Sequence, residues 1–364
     1  VTIYLDYQAT TPVAPEAAAA MRPWLEDKFA NPHSPHKLGR EAAAAVELAR
    51  GQVLEALGGS KGGKLYFTSG ATEAANWALK CSAPGRIVTL ATEHACVLDT
   101  AEWLAGQGRE VDTLPVGADG LVDLDLVAAR VTEGTGLVAA MLVNNEIGVI
   151  QPVAEIARIA HAAGALFFCD AVQGFGRVPL PLDSCDMVAL SAHKVHGPKS
   201  IGALWVREGV TLEPFLHGGG QEGGIRSGTL SPTSAVGFGA AVAVLGHDSG
   251  HVERLWSLAL ELMGDWQLNG AAAQRYHGNL NLRREGVDAG RLISEVRQVA
   301  FSAGSACASG SGRPSHVLAA LGLSEREARS SIRLGFGRYT TEAELRTALG
   351  LINQAAERQL KFAA

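Results

Sequence analysis

The chain has 364 residues, 47% apolar composition and a formal net charge of −6. That length holds two domains or one large one around a sizeable core, and without a basic block there is no footprint for nucleic acid. Apolar runs stop well short of a bilayer span and the first residues carry no signal-peptide pattern, so the expected location is the cytosol, with no membrane partner. The cysteines, Cys81, Cys96, Cys169, Cys185 and Cys307, form no Cys-x-x-Cys pair and no zinc-spaced cluster. They are expected as free thiols, and no metal site is expected.

In chain order, Tyr4–Tyr7 reads as an extended entry segment and Asn31–His36 as an irregular loop. Gly39–Leu57, rich in alanine, reads as a long helix. Lys64–Phe67 is then a strand, Thr68-Ser69-Gly70-Ala71-Thr72 a turn, and Glu73–Lys80 a helix. The free amides of Gly70, Ala71 and Thr72, with the Thr72 hydroxyl, suit a phosphate, although such a junction can equally be an ordinary cap.

Strand and helix alternate from Arg86 to Asp170, which is the spacing of a mainly parallel sheet with helical crossovers and ligands at the carboxyl ends of its strands. Three groups fall at such ends: Thr92-Glu93-His94, Asn144-Asn145-Glu146, and Asp170-Ala171-Val172-Gln173. His94 caps a helix or lies over a ligand ring. Further on come a glycine-rich loop at Pro214–Thr229, where Arg226 serves an anion or lies in solvent, and helical material at Val236–Met263 broken near Gly246–Gly250. Beyond the break follow a strand at Tyr276–Leu282, a helix from Asp288, a small-residue loop around Cys307, a helix at His316–Leu321, a strand at Ser331–Leu334 and a last helix at Glu342–Gln359. Arg333 on that strand points into a cleft, where it can hold a carboxylate, or faces solvent. The expected domains are an entry segment, 1–12, packing with the smaller domain; a large domain, 13–246; and a small one, 247–364.

The chemistry centres on Ser191-Ala192-His193-Lys194, which sits between the apolar runs Met187–Leu190 and Ile201–Val206. A lysine held near the core between two buried strands loses its proton readily and can form a Schiff base with an aldehyde cofactor. Asp170, one strand earlier, supplies the acidic partner that a pyridine nitrogen needs, and together they point to pyridoxal phosphate. Gly197-Pro198-Lys199-Ser200 lacks the spacing of a nucleotide P-loop and precedes a strand rather than a helix.

Over almost its whole length the chain resembles the cysteine desulfurases of the class-V aminotransferase-like, fold type I superfamily. The resemblance is carried by Tyr4-Leu5-Asp6 with Ala9-Thr10-Thr11-Pro12, Thr68–Glu73, Thr92-Glu93-His94, Asn144–Gly148, Asp170–Gln173, Ser191–Lys194, Arg226-Ser227-Gly228-Thr229, Gly304-Ser305-Ala306-Cys307 and Ser331-Ile332-Arg333. It implies an α/β fold with a mainly parallel seven-stranded sheet and a smaller α/β domain. It also implies that Lys194 carries pyridoxal phosphate, Asp170 faces the ring nitrogen, His94 stacks on the ring, and Gln173 with Asn145 serves the phenolic side. Thr72, Ser191 and His193 are then expected at the phosphate, with Thr229 arriving from the other subunit of a homodimer, and Arg333 with Asn145 at the substrate carboxylate.

The implied reaction takes L-cysteine to L-alanine and moves sulfur through a Cys307 persulfide to an acceptor or iron–sulfur scaffold protein. The long small-residue loop around Cys307 resembles the branch associated with iron–sulfur cluster biosynthesis. Alternatives are selenocysteine lyase, another fold type I lyase or aminotransferase, and a non-catalytic binding protein. One departure stands out: Gly223 occupies a position where the family commonly has arginine.

Overall fold

The computed structural model describes residues 2–58, 62–246, 248–304 and 315–363. Cys307 and the loop around it lie outside the described residues.

Seven strands form the central sheet: β2 (Gly63–Thr68), β3 (Arg86–Leu90), β4 (Val111–Leu114), β5 (Thr135–Met141), β6 (Leu166–Asp170), β7 (Met187–Ser191) and β8 (Gly202–Arg207). Their order is β2-β8-β7-β6-β5-β3-β4. Alternation along the strands covers both faces. In β7, Val188 and Leu190 join the core under α2 (Lys37–Ala56), α6 (Val153–Ala162) and α7 (Pro232–Val242). Met187 and Ala189 join the opposite core with α3 (Ala71–Cys81) and α4 (Ala95–Gly106). Such doubly covered strands read as continuous apolar runs, and these do.

The pairings from β4 through β7 are parallel, whereas β8 runs antiparallel to both neighbours. Residues 192–201 are too short for a helical crossover, so the chain turns back on itself and β8 returns beside β7. This hairpin-like return places Lys194 at the sheet edge. Because β2 is antiparallel to β8, it runs in the same direction as β7, and its carboxyl end meets the ends of the parallel strands.

A second core surrounds the four-stranded antiparallel sheet β12 (Ser302–Ala303), β13 (Ser331–Gly335), β10 (Asn279–Arg283) and β9 (Gln267–Leu268). It is packed by α8 (Ser249–Leu262) and α12 (Glu342–Ala363), with α9 (Ala289–Glu295) at its side. The predicted strand at Tyr276–Leu282 starts only at Asn279, because Tyr276–Gly278 makes a turn in which Asn279 N donates to Tyr276 O over 3.2 Å. The sequence reading missed α1 (Pro15–Glu26), and it missed β1 (Ile3–Tyr4), which pairs in parallel with β11 (Val299–Ala300). The entry segment engages both cores: Leu5 packs in the second, while Thr11 N donates to His193 O in the first over 2.9 Å.

Candidate functional site

At the carboxyl edge of the large sheet a cavity of about 630 Å³ is lined by Gly70, Ala71, Thr72, His94, Asn145, Asp170, Gln173, Ser191, His193, Lys194 and Arg333. All but Arg333, which projects from the middle of β13 in the smaller sheet, come from a strand end or the turn that follows, so the fold gathers groups far apart in sequence. The size suits a small-molecule ligand.

Asp170 ends β6 and is 5% exposed. Its Oδ1 accepts from Val172 N over 2.9 Å. Burial pushes its carboxyl up, against the opposing pull of His94, the Val172 amide and Lys194. His94 is the N-cap of α4, and its Nδ1 accepts from Cys96 N over 3.1 Å. The two readings of His94 therefore coexist: it caps the helix and it faces the cavity. Burial holds the imidazole below its usual range, so it is neutral near pH 7, and the cap bond places its proton on Nε2.

Lys194 donates to the carbonyls of Gln8 over 2.5 Å and Ala9 over 2.8 Å. His193 bonds through Nδ1 to Thr10 Oγ1 over 3.1 Å, and burial, with help from Lys194, Lys199 and Arg177, brings its pKa down to about 4. Gln173 is committed at both ends of its amide: Nε2 donates to Gln8 O over 2.9 Å, and Oε1 accepts from Arg177 over 2.5 Å. The segment Gln8–Thr10 thus forms a wall of the cavity, largely through main-chain carbonyls that no side-chain motif announces.

Arg333 is 1% exposed, which removes its solvent-facing alternative. On β13 it lies between Asn281 and Ser302 of the neighbouring strands, while Ile332 and Leu334 turn into the second core. Its Nη2 pairs with Asp6 Oδ1 at 2.7 Å, its Nη1 donates to Asn145 O over 3.1 Å, and its Nε has no hydrogen-bond partner among the described residues. Asn144 is structural: its Oδ1 accepts from Glu146 N and Ile147 N over 2.8 and 3.0 Å, which shapes the turn that presents Asn145.

At the far end, Ser69, Gly70, Ala71 and Thr72 line the cavity beside Ser191 and His193, with Lys199 and Ser200 adjoining. Lys199 and Ser200 were not singled out in the sequence as lining residues, and neither was Cys96, which faces the same space. Glu73, in the first turn of α3, takes Ser69 N over 2.7 Å and pairs with Arg226 over 2.7 and 2.9 Å. Arg226 is therefore neither a free anion-binding group nor a solvated one.

Thr229 is exposed and does not line this cavity. The loop before it is anchored by Glu222, which bonds Arg50 over 2.7 and 2.8 Å and Phe67 N over 3.0 Å. Gly223 beside it has φ +69°, and a Cβ there would meet nothing within 4 Å.

Residues 3–347 match the Aminotransferase class-V family. The chain belongs to the class-V aminotransferases. Among its relatives, "Cysteine desulfurase IscS" of Rickettsia bellii is 44% identical over 96% of this chain and 90% of that protein. Its counterpart in Rickettsia rickettsii is 42% identical with the same coverage. A solved structure described as a NifS-like protein superposes with TM-score 0.90 at 32% identity, covering 97% of this chain and 99% of that one. Another, described as SspA in complex with cysteine, gives TM-score 0.83 at 35% identity over 93% of this chain and 100% of the other.

Cysteine desulfurases of this family depend on pyridoxal phosphate, and the residues here fit that group. Among the described residues the desolvated carboxyl of Asp170 is in no salt bridge, which leaves it for a pyridinium N–H, and the α3 amides with Ser191 offer donors to a phosphate. Lys194 acts electrostatically on both Asp170 and His193 in the same cavity.

Proposed function

We propose that this site converts L-cysteine to L-alanine and transfers the sulfur to Cys307. The observation that carries the reading is the convergence of Lys194, Asp170, His94 and Arg333 on one cavity. Pyridoxal phosphate, when bound, supplies an electron sink that labilises the bonds around the substrate α-carbon.

The chain's own residues do the rest. Lys194 would hold the cofactor through its aldehyde, and its amine would move the α proton of the substrate. Asp170 would hold a proton at the ring nitrogen, and neutral His94 would stand at the cofactor with its Nε2–H available for proton exchange. Gln173 and Asn145 serve the phenolic side, while Gly70, Ala71, Thr72, Ser191 and His193 serve the phosphate. Arg333 and Asn145 take the substrate carboxylate, with Asp6 behind the guanidinium. Cys307, as thiolate, attacks the substrate sulfur: an S–S bond forms, the Cβ–S bond breaks, its electron pair and a proton go to the carbon that becomes the alanine methyl, and Cys307 keeps a persulfide.

We also propose the domain division 1–12, 13–246 and 247–364, which follows the separation of the main cores. A homodimer with Thr229 reaching the partner's phosphate is supported by exposed apolar side chains on and between α1 and α2: Leu25 at 71%, Phe29 at 87%, Leu38 at 53% and Leu48 at 67%. Among the described residues no helix is long and apolar enough to cross a membrane. A cytoplasmic setting with a sulfur-acceptor or iron–sulfur scaffold protein completes the reading.

The test couples alanine release to mass spectrometry of Cys307 after exposure to L-cysteine. A persulfide that forms and decays with turnover is expected, and Cys307→Ser is expected to retain the visible cofactor band while releasing no alanine. Undiminished alanine release from Cys307→Ser would replace the persulfide route with a lyase.

A further inference from the structure

Arg177 follows Gln173 by one turn and has no place in the scheme above. Its Nη1 donates to Gln173 Oε1 over 2.5 Å and to Gln173 O over 3.3 Å. Its Nη2 donates to Lys194 O over 2.6 Å, and the guanidinium lies 5.3 Å from the centre of the Tyr276 ring. All three hydrogen-bond acceptors are neutral amide oxygens, an unusual set for a half-buried cation. It lines a second cavity, of about 200 Å³, which Lys194 and Val195 also border.

A guanidinium can only donate, so the amide oxygen of Gln173 must face Arg177 and its NH2 must face the other way. One NH2 hydrogen goes to Gln8 O, the same carbonyl that accepts from Lys194 Nζ over 2.5 Å. The bonds close a ring: Arg177 to the Gln173 side chain, Gln173 to Gln8 O, Gln8 O to the Lys194 amine, and the Lys194 carbonyl back to Arg177. Both ends of Lys194 are held through one cation.

We infer that Arg177 is a positioning residue for the cofactor: it turns the Gln173 amide so that only donors face the cavity and clamps the Lys194 main chain in register with it. Lysine in its place reaches one of these acceptors, not all of them. The role rests on the reading that Lys194 carries pyridoxal phosphate.

Charge supplies a readout that a packing role would not move. Among the described residues, Asp170, His94, His193, Lys199 and Arg333 share the first cavity with Lys194, while Arg177, Tyr276, Tyr7, His196, Asp248, Glu253, Arg275, His277 and Arg338 share the second. Deleting the Arg177 cation makes a protonated nitrogen at Lys194 easier to hold. The experiment loads wild type, Arg177→Met and Arg177→Lys with pyridoxal phosphate and titrates the visible absorption band with pH. Arg177→Met is expected to move the midpoint upward by about one unit, a tenfold change in proton affinity. A midpoint within about 0.3 units of wild type would overturn the inference, that interval being only a twofold change.

If Arg177→Met does not accumulate, Arg177→Lys decides. It keeps the charge, so its midpoint should stay near wild type, while cofactor release should quicken about tenfold, the loss of one net hydrogen bond or so. Release at the wild-type rate overturns the inference. Borohydride reduction and peptide mapping test the underlying reading separately: an adduct absent from Lys194 fails that reading, whereas an adduct on Lys194 with an unmoved midpoint in Arg177→Met fails Arg177 alone.

Discussion

Asp6→Ala removes the only carboxylate that pairs with Arg333 among the described residues. The guanidinium is 1% exposed and would keep Asn145 O at 3.1 Å and Ser302 Oγ at 3.5 Å, with Nε still lacking a partner. Stripping one member from a buried pair costs about 3–5 kcal/mol, because the remaining charge is left uncompensated. The Asp6 side chain is 19% exposed, so water can reach the gap and about 2–3 kcal/mol is expected here. In a chain of 364 residues that is roughly 3–4 °C in Tm. Asp6→Asn retains an acceptor and should lose about half as much.

The assay is urea unfolding of cofactor-free protein, which keeps ligand linkage out of the comparison. A double-mutant cycle of Asp6→Ala with Arg333→Met should show coupling of about 2 kcal/mol, since removing both partners leaves no orphaned charge. In the loaded enzyme, the loosened guanidinium should raise KM for L-cysteine more than it lowers kcat. Coupling below about 0.5 kcal/mol would refute the claim that Asp6 holds Arg333.

Two further predictions concern pH. Glu93 is fully buried; its Oε1 accepts from Met141 N over 2.7 Å, and its Oε2 has no hydrogen-bond partner. Burial raises its carboxyl well above 4.5, so the folded chain keeps a proton that the unfolded chain releases, and stability falls as pH rises from about 4.5 toward the folded value. Glu93→Gln should flatten that fall above about pH 4.5 in urea titrations, and a parallel slope would count against a neutral Glu93. His196 is shifted the other way, to about 4 from 6.5, chiefly by burial. Its contribution is complete above pH 6.5 and lost as pH falls toward 4, amounting to about 3 kcal/mol. Asn tolerates the φ of +65° at this position, so His196→Asn should remove much of the acid sensitivity without refolding the turn. An unchanged acid limb would show that other groups set it.

The large sheet was legible because its strands are buried on both faces and write themselves as apolar runs, from Leu137–Val143 to Met187–Leu190. Elements that draw their stability from pairing rather than pattern were not. β1, β9, β11 and β12 are each two residues long, and no periodicity distinguishes so short a strand from a loop. α1 was hidden by Pro23 in its interior, although Pro15 at its start marks a helix N-terminus. Arg226 was ambiguous for a different reason: its partner Glu73 is 153 positions away, and neither residue predicts the other.

In the site, most of the side chains that face the cavity were readable because they sit where a strand ends or just beyond it; Arg333 was readable instead from its alternation with Ile332 and Leu334 on β13. The groups that hold them are mostly main-chain atoms or residues one step behind. Gln8 and Ala9 act through carbonyls, which any residue carries, and their position follows from pairing of the entry strand with β11 and from Thr11 bonding His193. That arrangement has a physical consequence for Lys194. Two carbonyl dipoles fix its amine at one point in the cavity, and the segment supplying them is continuous with Asp6 at Arg333. A disturbance of residues 6–10 is therefore transmitted to both the cofactor lysine and the carboxylate-binding guanidinium, and the entry segment, fixed in the second core by Leu5, aligns the two halves of the site.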